Sequence, residues 1–323
     1  SDWVRHLLAW RLGEDRMDPA ESARRTLLEL GRNGAGFLMA HVGEAGDGGP
    51  GIPSWTGSAL RPEVLPLPEL LAPAPQAAAS LLEGLDRSPD SRARGLALHA
   101  PYTVSEELAR GVFSRARTWS LPVSIHLGEH DEERRLLAGR GGPLARLLER
   151  NGHPLKRETW PSPVDWLESV GGLREGVLAV HAGNLTAGEL HRLSGAGVRT
   201  IWCPGTHRYF DRPVPAFGAN GVPLPFLGCD SRASNPVLDP LREVRIAREM
   251  LPGPGPCAWW ERLTEGAGLF LGRPELGRLE TGSLFRPLRI AWQGEESAEE
   301  ACDRLTADAK IQPLGPLDLF RPA

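Results

Sequence analysis

The 323-residue sequence lacks several features that would assign it to other classes of protein. Its four cysteines include no C-x-x-C pair, which predicts neither a thiolate zinc site nor a disulfide framework and makes a reducing cytoplasm the simplest location. No apolar run approaches the roughly 18 residues that a membrane span needs. The formal net charge of −4 without a basic stripe argues against nucleic acid and membranes as partners. We therefore expect a cytoplasmic globular protein.

Short apolar segments recur along the chain and predict seven β-strands, at residues 36–42, 63–69, 95–100, 122–128, 177–183, 198–204 and 223–230. Helix start signals fall between most of them, at Asp18-Pro19, Thr103, Ser162-Pro163, Thr186 and Asn235-Pro236. Alternating strands and helices predict a parallel sheet in an α/β protein, and eight such units close a (β/α)8 TIM-type barrel. We expect residues 1–272 to form this barrel, with its first strand missing, and residues 273–323 to belong to a small appended β domain.

The segment PVSIHLGEHDEERR, at 122–135, has the H-x-x-E-H spacing of inverted zinc peptidases. Such a site needs two histidines on the same face of a helix. Here Val123 and Ile125 alternate with polar residues, and Gly128 interrupts the helical pattern. We therefore predict a strand that ends near Gly128 and carries His126 at its carboxyl end, not a peptidase helix.

Four predicted strands place a polar residue at their last inward position, and these residues are His99, His126, His181 and Asp230. A single strand-end histidine is more often a structural hydrogen-bonding residue, and Asp230 could simply cap the next turn. Four such residues at equivalent positions favour a common site, because burying them together is costly unless a metal or substrate uses them. Imidazole and carboxylate groups suit Zn²⁺ or Fe²⁺ activating a water, and Glu129 could transfer protons above it.

Five segments resemble, in order, motifs of the metal-dependent amidohydrolase superfamily, in the branch of triazine chlorohydrolases and purine-type deaminases. They are HAPYTVSEEL, IHLGEHDEERRLL, VLAVHAGNLT, CPGTHRYF and LGCDSRASNPVLDPLREV, and the resemblance covers roughly residues 1–285. It implies a hydrolase with one divalent metal. Zinc is the preferred metal, and iron is the alternative. Its substrate would be an aminopurine-nucleoside-like or related N-heterocyclic compound, and a homodimer is compatible with it.

The resemblance also implies roles for individual residues. His126 matches a metal ligand, and Asp230 matches a ligand that accepts a proton from the metal-bound water. Glu129 matches the acid/base that protonates the leaving nitrogen, and His181 matches a group that polarises the attacked centre or orients the water. His99 matches a residue that contacts the purine-like ring in S-adenosylhomocysteine and aminofutalosine deaminases.

Two further residues are candidates for substrate contact. His207 and Arg208, in CPGTHRYF, follow directly on a predicted strand end.

The sequence departs from the family at one motif, because it contains no H-x-H, which in the family supplies two metal ligands on the first barrel strand. His6 and His41 each stand alone. A barrel lacking one strand exposes the edges of both neighbours, so we expect the missing strand to lie immediately before Ser1 and any metal bound by this chain to be under-coordinated. The alternative is a catalytically impaired or metal-free binding protein, against which the presence of Glu129 argues.

Two other classes of site are disfavoured. Gly46, Gly48 and Gly51 match G-x-G-x-x-G after a strand, but IPSWTGS follows in place of a helix, so a flexible loop is expected instead of a dinucleotide cradle. The P-C-x-x-C signature of zinc cytidine deaminases is absent from the sequence.

Overall fold

The computed structural model describes residues 18–45, 49–50, 62–87, 95–153, 158–270, 272–278, 280–281, 288–290, 297–307 and 311–313. His6 and the predicted loop of Gly46, Gly48 and Gly51 lie outside these ranges. Within the described ranges, no helix is both long enough and apolar enough to cross a membrane.

The strands alternate with helices along most of the described chain. The strands are β1 (Phe37–Val42), β2 (Glu44–Ala45), β3 (Gly49–Pro50), β4 (Glu63–Leu70), β5 (Leu96–Leu98), β6 (Val123–Leu127), β7 (Val177–His181), β8 (Arg199–Trp202), β9 (Phe226–Leu227), β10 (Leu288–Ile290) and β11 (Ile311–Pro313). The helices are α1 (Pro19–Arg32), α2 (Pro75–Arg87), α3 (Glu106–Thr118), α4 (Asp131–Leu137), α5 (Pro143–Arg150), α6 (Pro163–Ser169), α7 (Ala187–Gly195), α8 (Pro204–Tyr209), α9 (Pro240–Met250), α10 (Pro256–Leu263), α11 (Glu265–Phe270) and α12 (Ala298–Ala307).

The main sheet has seven strands in the order β1-β4-β5-β6-β7-β8-β9. The pairs β4/β5, β5/β6, β6/β7 and β7/β8 are parallel. Each of these seven strands lies within or closely overlaps one of the seven predicted segments. The predicted α/β class with a parallel sheet is therefore confirmed.

Three of the predicted helix starts are correct. Asp18, Ser162 and Thr186 are the N-cap residues of α1, α6 and α7, and each side chain accepts a hydrogen bond from the backbone three residues on. Thr186 forms a full capping box with Glu189, whose side chain accepts from the Thr186 backbone in return.

Two predicted helix starts are wrong, because the side chains that resemble caps form hydrogen bonds with other nearby residues instead. Helix α3 begins after Ser105, whereas the hydroxyl of Thr103 lies 2.6 Å from His99 Nδ1. Helix α9 begins after Asp239, whereas Asn235 lies in a buried hydrogen-bond network. In both places a nearby group, and not the backbone of a following helix, takes the hydrogen bond of the cap-like residue.

The described residues belong to two compact units. The first unit includes Ala40–Gly51 and Pro66–Ile201, and the second includes Asp18–Met39 and Trp202–Ala323. The predicted boundary at residue 272 between a barrel and a small β domain stays a prediction.

The core of the first unit consists of strand residues covered by helices. Strands β5, β6 and β7 are buried along nearly their whole length, as expected for parallel strands with helices on their faces. Helix α3 contributes an apolar face at helical spacing, with Leu108, Val112 and Phe113 buried. These layers hold the carboxyl ends of neighbouring strands in fixed register.

The second unit has an aromatic core. The Trp202 ring lies 5.8 Å from the Phe217 ring and 6.4 Å from the Trp259 ring, measured between centroids, and all three side chains are buried. Strands β10 and β11 form an antiparallel pair, with α12 between them in the chain.

Candidate metal and catalytic site

Three of the predicted site histidines lie together in the first unit, at the carboxyl ends of β5, β6 and β7. The ring centroid of His126 is 5.3 Å from that of His99 and 5.4 Å from that of His181. The register of the sheet explains this proximity, because Leu127 at the end of β6 is paired with His181 at the end of β7. Carboxyl ends of adjacent parallel strands meet at one edge of a sheet, and the chain places an imidazole at each.

The hydrogen bonding of His126 fixes which ring nitrogen carries the proton. Its Nδ1 lies 2.7 Å from the backbone carbonyl oxygen of His99. A carbonyl oxygen can only accept, so Nδ1 carries the proton and the lone pair of the neutral ring lies on Nε2. Histidines that bind metals are commonly oriented in this way, by donating the other ring N–H to a backbone carbonyl. The structure therefore presents His126 in the form that a metal ligand requires.

The ring of His99 is fixed in a similar way by Thr103. The Thr103 hydroxyl donates to the carbonyl oxygen of Ala100, so it accepts from His99 Nδ1, which is 2.6 Å away. Burial, together with the nearby charge of His126, lowers the pKa of His99 to about 4. His99 is therefore neutral at pH 7, with a lone pair on Nε2 that can accept a hydrogen bond.

Glu129 lies on the turn that follows β6, next to this group of histidines. Its Oε2 is 4.0 Å from Nε2 of His181, and its side chain is about one-fifth exposed. A carboxyl group in this position can exchange protons with a bound ligand and remain close to an imidazole.

Two of the predicted site residues have strained backbones. The φ angles of His181 and Asp230 are +70° and +59°, in the left-handed region that non-glycine residues rarely occupy. Such conformations cost about 1–3 kcal/mol each and concentrate at sites where function requires a particular side-chain direction. The strain marks both strand ends independently of the sequence motifs.

Two residues of the site were missed by the sequence reasoning, which treated His41 as isolated. The Nδ1 of His41, on β1, lies 3.0 Å from Oε1 of Glu69, on β4, and its Nε2 lies 2.7 Å from Oγ of Ser124. Oε1 of Glu69 is 3.9 Å from Nδ1 of His126. Together His41, Glu69 and His126 can each offer one ligand atom, and these atoms all lie within 4.8 Å of one another.

A signal for both residues was present in the sequence. His41 and Glu69 stand near the carboxyl ends of predicted strands, as His99, His126 and His181 do, but the search for further ligands was directed at H-x-H. Burial alone would raise the pKa of Glu69, but the hydrogen bond with His41 and the charges of the neighbouring histidines lower it to about 2. Glu69 is thus ionised at neutral pH and able to offer an oxygen to a metal.

Asp230 belongs to the second unit, where its carboxylate is held by three donors. Oδ2 accepts from the hydroxyls of Thr206, at 2.8 Å, and Ser234, at 3.1 Å. Oδ1 accepts from the backbone N–H of Ser231, at 2.7 Å, which is the turn-capping contact anticipated as the plain alternative. The proposed role of Asp230 as a metal ligand stays a prediction.

The chain around Asp230 is fixed by a buried carboxyl group that the sequence did not indicate. Glu243, on α9, accepts from the backbone N–H of Gly205 and from the side-chain amide of Asn235, both at 2.7 Å. Asn235 also donates to the carbonyl oxygen of Cys229. Burial raises the pKa of Glu243 to about 7 in spite of these donors.

His207 and Arg208 are engaged within the second unit. His207 is buried, with Nε2 donating to the carbonyl oxygen of Pro213 at 2.7 Å and its ring edge-on to Trp202. Arg208 is half-exposed and pairs with Glu249. Their contact with substrate stays a prediction.

No protein-family model matches the chain. Among curated proteins, it is 34% identical over 200 residues to the aminodeoxyfutalosine deaminase of Deinococcus radiodurans, which covers 58% of this chain and 48% of that protein. It is also 34% identical over 155 residues to the 5-methylthioadenosine/S-adenosylhomocysteine deaminase of Pyrococcus abyssi, covering 47% of this chain and 32% of that protein. The chain thus spans between about a third and a half of the length of these relatives.

Solved structures show the same fold. The aminofutalosine deaminase of Helicobacter pylori, in complex with methylthio-coformycin, has a TM-score of 0.62 and 18% identity, covering 77% of this chain and 64% of that chain. The atrazine chlorohydrolase of Arthrobacter aurescens TC1, complexed with zinc, has a TM-score of 0.62 and 17% identity. The match covers 88% of this chain and 68% of that chain. The chain therefore has the α/β TIM-type fold of these hydrolases. The predicted similarity to purine-type deaminases is confirmed at the level of sequence over the matched residues.

Proposed function

We propose that this chain is a metal-dependent deaminase that hydrolyses the exocyclic C–N bond of an aminopurine-nucleoside-like substrate. The observation that carries the proposal is the group of His99, His126, His181 and Glu129 around adjacent strand ends, with His126 held in the tautomer that a metal ligand needs. The relatives named above support the same chemistry.

The residues present fit a divalent metal. His126 offers the lone pair on Nε2. His41 and Glu69, on the adjacent strands β1 and β4, offer a nitrogen and an ionised oxygen. From the resemblance we retain Asp230 as a further ligand and as the acceptor of a proton. Nitrogen and carboxylate ligands suit zinc first and iron second. A cation bound here supplies a water whose pKa is lowered toward neutrality, and hence a nucleophile.

Glu129 provides the proton that the leaving group requires. Water adds its oxygen to the ring carbon and gives up one proton, the nitrogen gains one proton, and the C–N bond breaks to release ammonia. Glu129 is the carboxyl group positioned to deliver this proton, and His181, 4.0 Å away, orients the water or polarises the attacked carbon.

His99 supports an aminopurine-type substrate. Its neutral ring offers Nε2 as a hydrogen-bond acceptor, and Thr103 prevents the ring from turning. His207 and Arg208 are proposed as further contacts to the substrate. We propose a cytoplasmic location and no nucleic-acid partner, and a homodimer as the assembly.

A substrate screen tests the function directly. Purified protein loaded with zinc or iron is incubated with 5'-deoxyadenosine, 5-methylthioadenosine, S-adenosylhomocysteine and aminodeoxyfutalosine, and released ammonia is measured. We expect release from at least one of these compounds, and none after the metal is removed with a chelator. Chloride release from a chlorotriazine alone would instead assign the triazine branch.

The second candidate is a binding protein on the same scaffold. It is favoured if calorimetry shows that the metal-loaded protein binds one of these nucleosides, while the protein releases no ammonia from any of them.

A further inference from the structure

A fully buried carboxylate closes the turn between β6 and α4. The side chain of Glu133 has no exposed surface, and its oxygens accept from the backbone N–H groups of Gly128 and Glu129, each at 3.0 Å. Both N–H groups lie in a turn, outside the hydrogen-bond pattern of a strand or helix, so they need another acceptor. The Glu133 carboxylate therefore holds the backbone at the residue that carries the proposed acid/base.

The same turn is constrained from two other directions. Gly128 has a φ of +63°, and a Cβ atom placed there would lie 2.5 Å from the Leu185 side chain. The backbone N–H of Glu133 donates in turn to Nδ1 of His130, at 3.2 Å. The path from Gly128 to Glu133 is thus a small loop closed by hydrogen bonds at both ends, with little freedom to move.

We infer that Glu133 is a positioning residue that fixes the backbone of Glu129 and so keeps the Glu129 carboxyl beside His181. Helix capping alone would not require it, because His130 already caps the start of α4, and serine or aspartate can cap a helix without a buried carboxyl group. Burying a carboxyl group is costly unless its hydrogen bonds are needed, and here both go to the turn that carries Glu129. Because a displacement of about 1 Å at a proton donor can cost two orders of magnitude in rate, this anchor has a direct catalytic consequence.

This inference rests on the proposed function, and it is tested by changing the leaving group. The Glu133→Gln variant keeps the side-chain volume, but one of its two acceptors becomes an NH₂ group that cannot accept from the backbone. Two substrates are compared that share the purine and sugar and differ only in carrying an amine or a chloride at the attacked carbon. Ammonia needs a proton to leave, whereas chloride leaves as an anion.

We expect Glu133→Gln to lower kcat for the amine by about 10- to 100-fold and kcat for the chloride by less than about threefold, with KM unchanged for both. An equal loss for both substrates, or a change in KM alone, would show that Glu133 has only a structural role. If Glu133→Gln does not fold, Glu133→Asp keeps the carboxyl group but retracts its oxygens, and the same difference between leaving groups is expected.

The matched control is Glu189→Gln in the same unit. Glu189 is also a nearly buried carboxylate with backbone and side-chain donors, from Thr186 and Arg134, but it has no hydrogen bond to the turn of Glu129. We expect this variant to change the rates for amine and chloride by the same factor.

Amide hydrogen exchange tests the anchor without activity. In Glu133→Gln, the amides of residues 128–129 should exchange at least about tenfold faster than in the wild type, while Glu189→Gln leaves them unchanged. If the wild type released neither ammonia nor chloride, the proposed function would fail. The exchange experiment would still decide the anchor, and unchanged exchange at residues 128–129 would overturn it.

Discussion

Nδ1 of His126 donates a hydrogen bond to the backbone carbonyl oxygen of His99, 2.7 Å away. This contact joins the ends of two adjacent strands and directs the lone pair of the His126 ring through Nε2. The backbone at the end of β5 thus determines which ring nitrogen of His126, at the end of β6, is free to bind a metal.

The first prediction is that His126 is required for metal binding. Replacing it by alanine removes a nitrogen ligand, so we expect affinity for Zn²⁺ to fall by about 10- to 100-fold or more. The measurement is metal content after dialysis, together with competition against a coloured chelator. His191→Ala, on the exposed side of α7, is the control and should keep the metal. Equal metal content in both variants would contradict the assignment.

A second prediction concerns His41 and Glu69, the two proposed ligands that only the structure brings together. His41→Ala and Glu69→Gln should each weaken Zn²⁺ binding by at least about tenfold, because each removes one atom of the three-residue group. Substituting Co²⁺ offers a check, since its visible spectrum reports the ligand set. If affinity and spectrum were the same as in the wild type, these two residues would not be ligands.

Glu129 should separate catalysis from metal binding. In Glu129→Gln the amide cannot deliver a proton to the leaving nitrogen, so we expect ammonia release to fall by at least about 10²-fold while the metal content is unchanged. The neighbouring exposed carboxylate provides the control, and Asp131→Asn should retain the wild-type rate. Full turnover by Glu129→Gln would show that another group supplies the proton.

The stability of the metal-free protein should fall in acid because of His99. Its pKa is about 4 in the folded state, against an ordinary value near 6.5, so at intermediate pH the unfolded chain binds the proton and the folded chain does not. The free energy of unfolding therefore decreases as the pH falls from about 6.5 to about 4, by at most about 3 kcal/mol from this residue. Urea unfolding of His99→Asn across this range should show a shallower dependence on pH than the wild type or His191→Asn.

The turn after β6 should accept only glycine at its first position. Gly128 and Gly171 both have a positive φ, but a Cβ atom would meet the Leu185 side chain at Gly128 and nothing within 4 Å at Gly171. Both alanine variants should lose about 1 kcal/mol from backbone strain, and Gly128→Ala should lose a further 1–3 kcal/mol, approximately, from the steric clash. Chemical denaturation measures the difference between the two variants. Equal losses would mean that Leu185 moves aside without cost.

The sequence by itself determined the features that depend on near neighbours in the chain. The seven strands of the main sheet follow from alternating or continuous apolar residues, and the N-caps Asp18, Ser162 and Thr186 follow from a polar side chain beside a proline or ahead of an acidic residue. The grouping of His99, His126 and His181 was also predictable, because parallel strands bring their carboxyl ends to one edge.

Tertiary structure alone decided which polar groups meet across the fold. Asn235 carries the local pattern of a helix cap, but it joins Glu243, which also accepts from the backbone of Gly205 on another helix. Glu133 would be read from the sequence as a solvated helix residue, yet it is fully buried, and its carboxyl group accepts from the backbone N–H groups of the turn that follows β6. The partnership of His41 with Glu69 depends on the lateral order of β1 and β4 in the sheet. Local patterns fix which residues stand at strand ends, whereas the pairing of strands fixes which of those residues share a ligand.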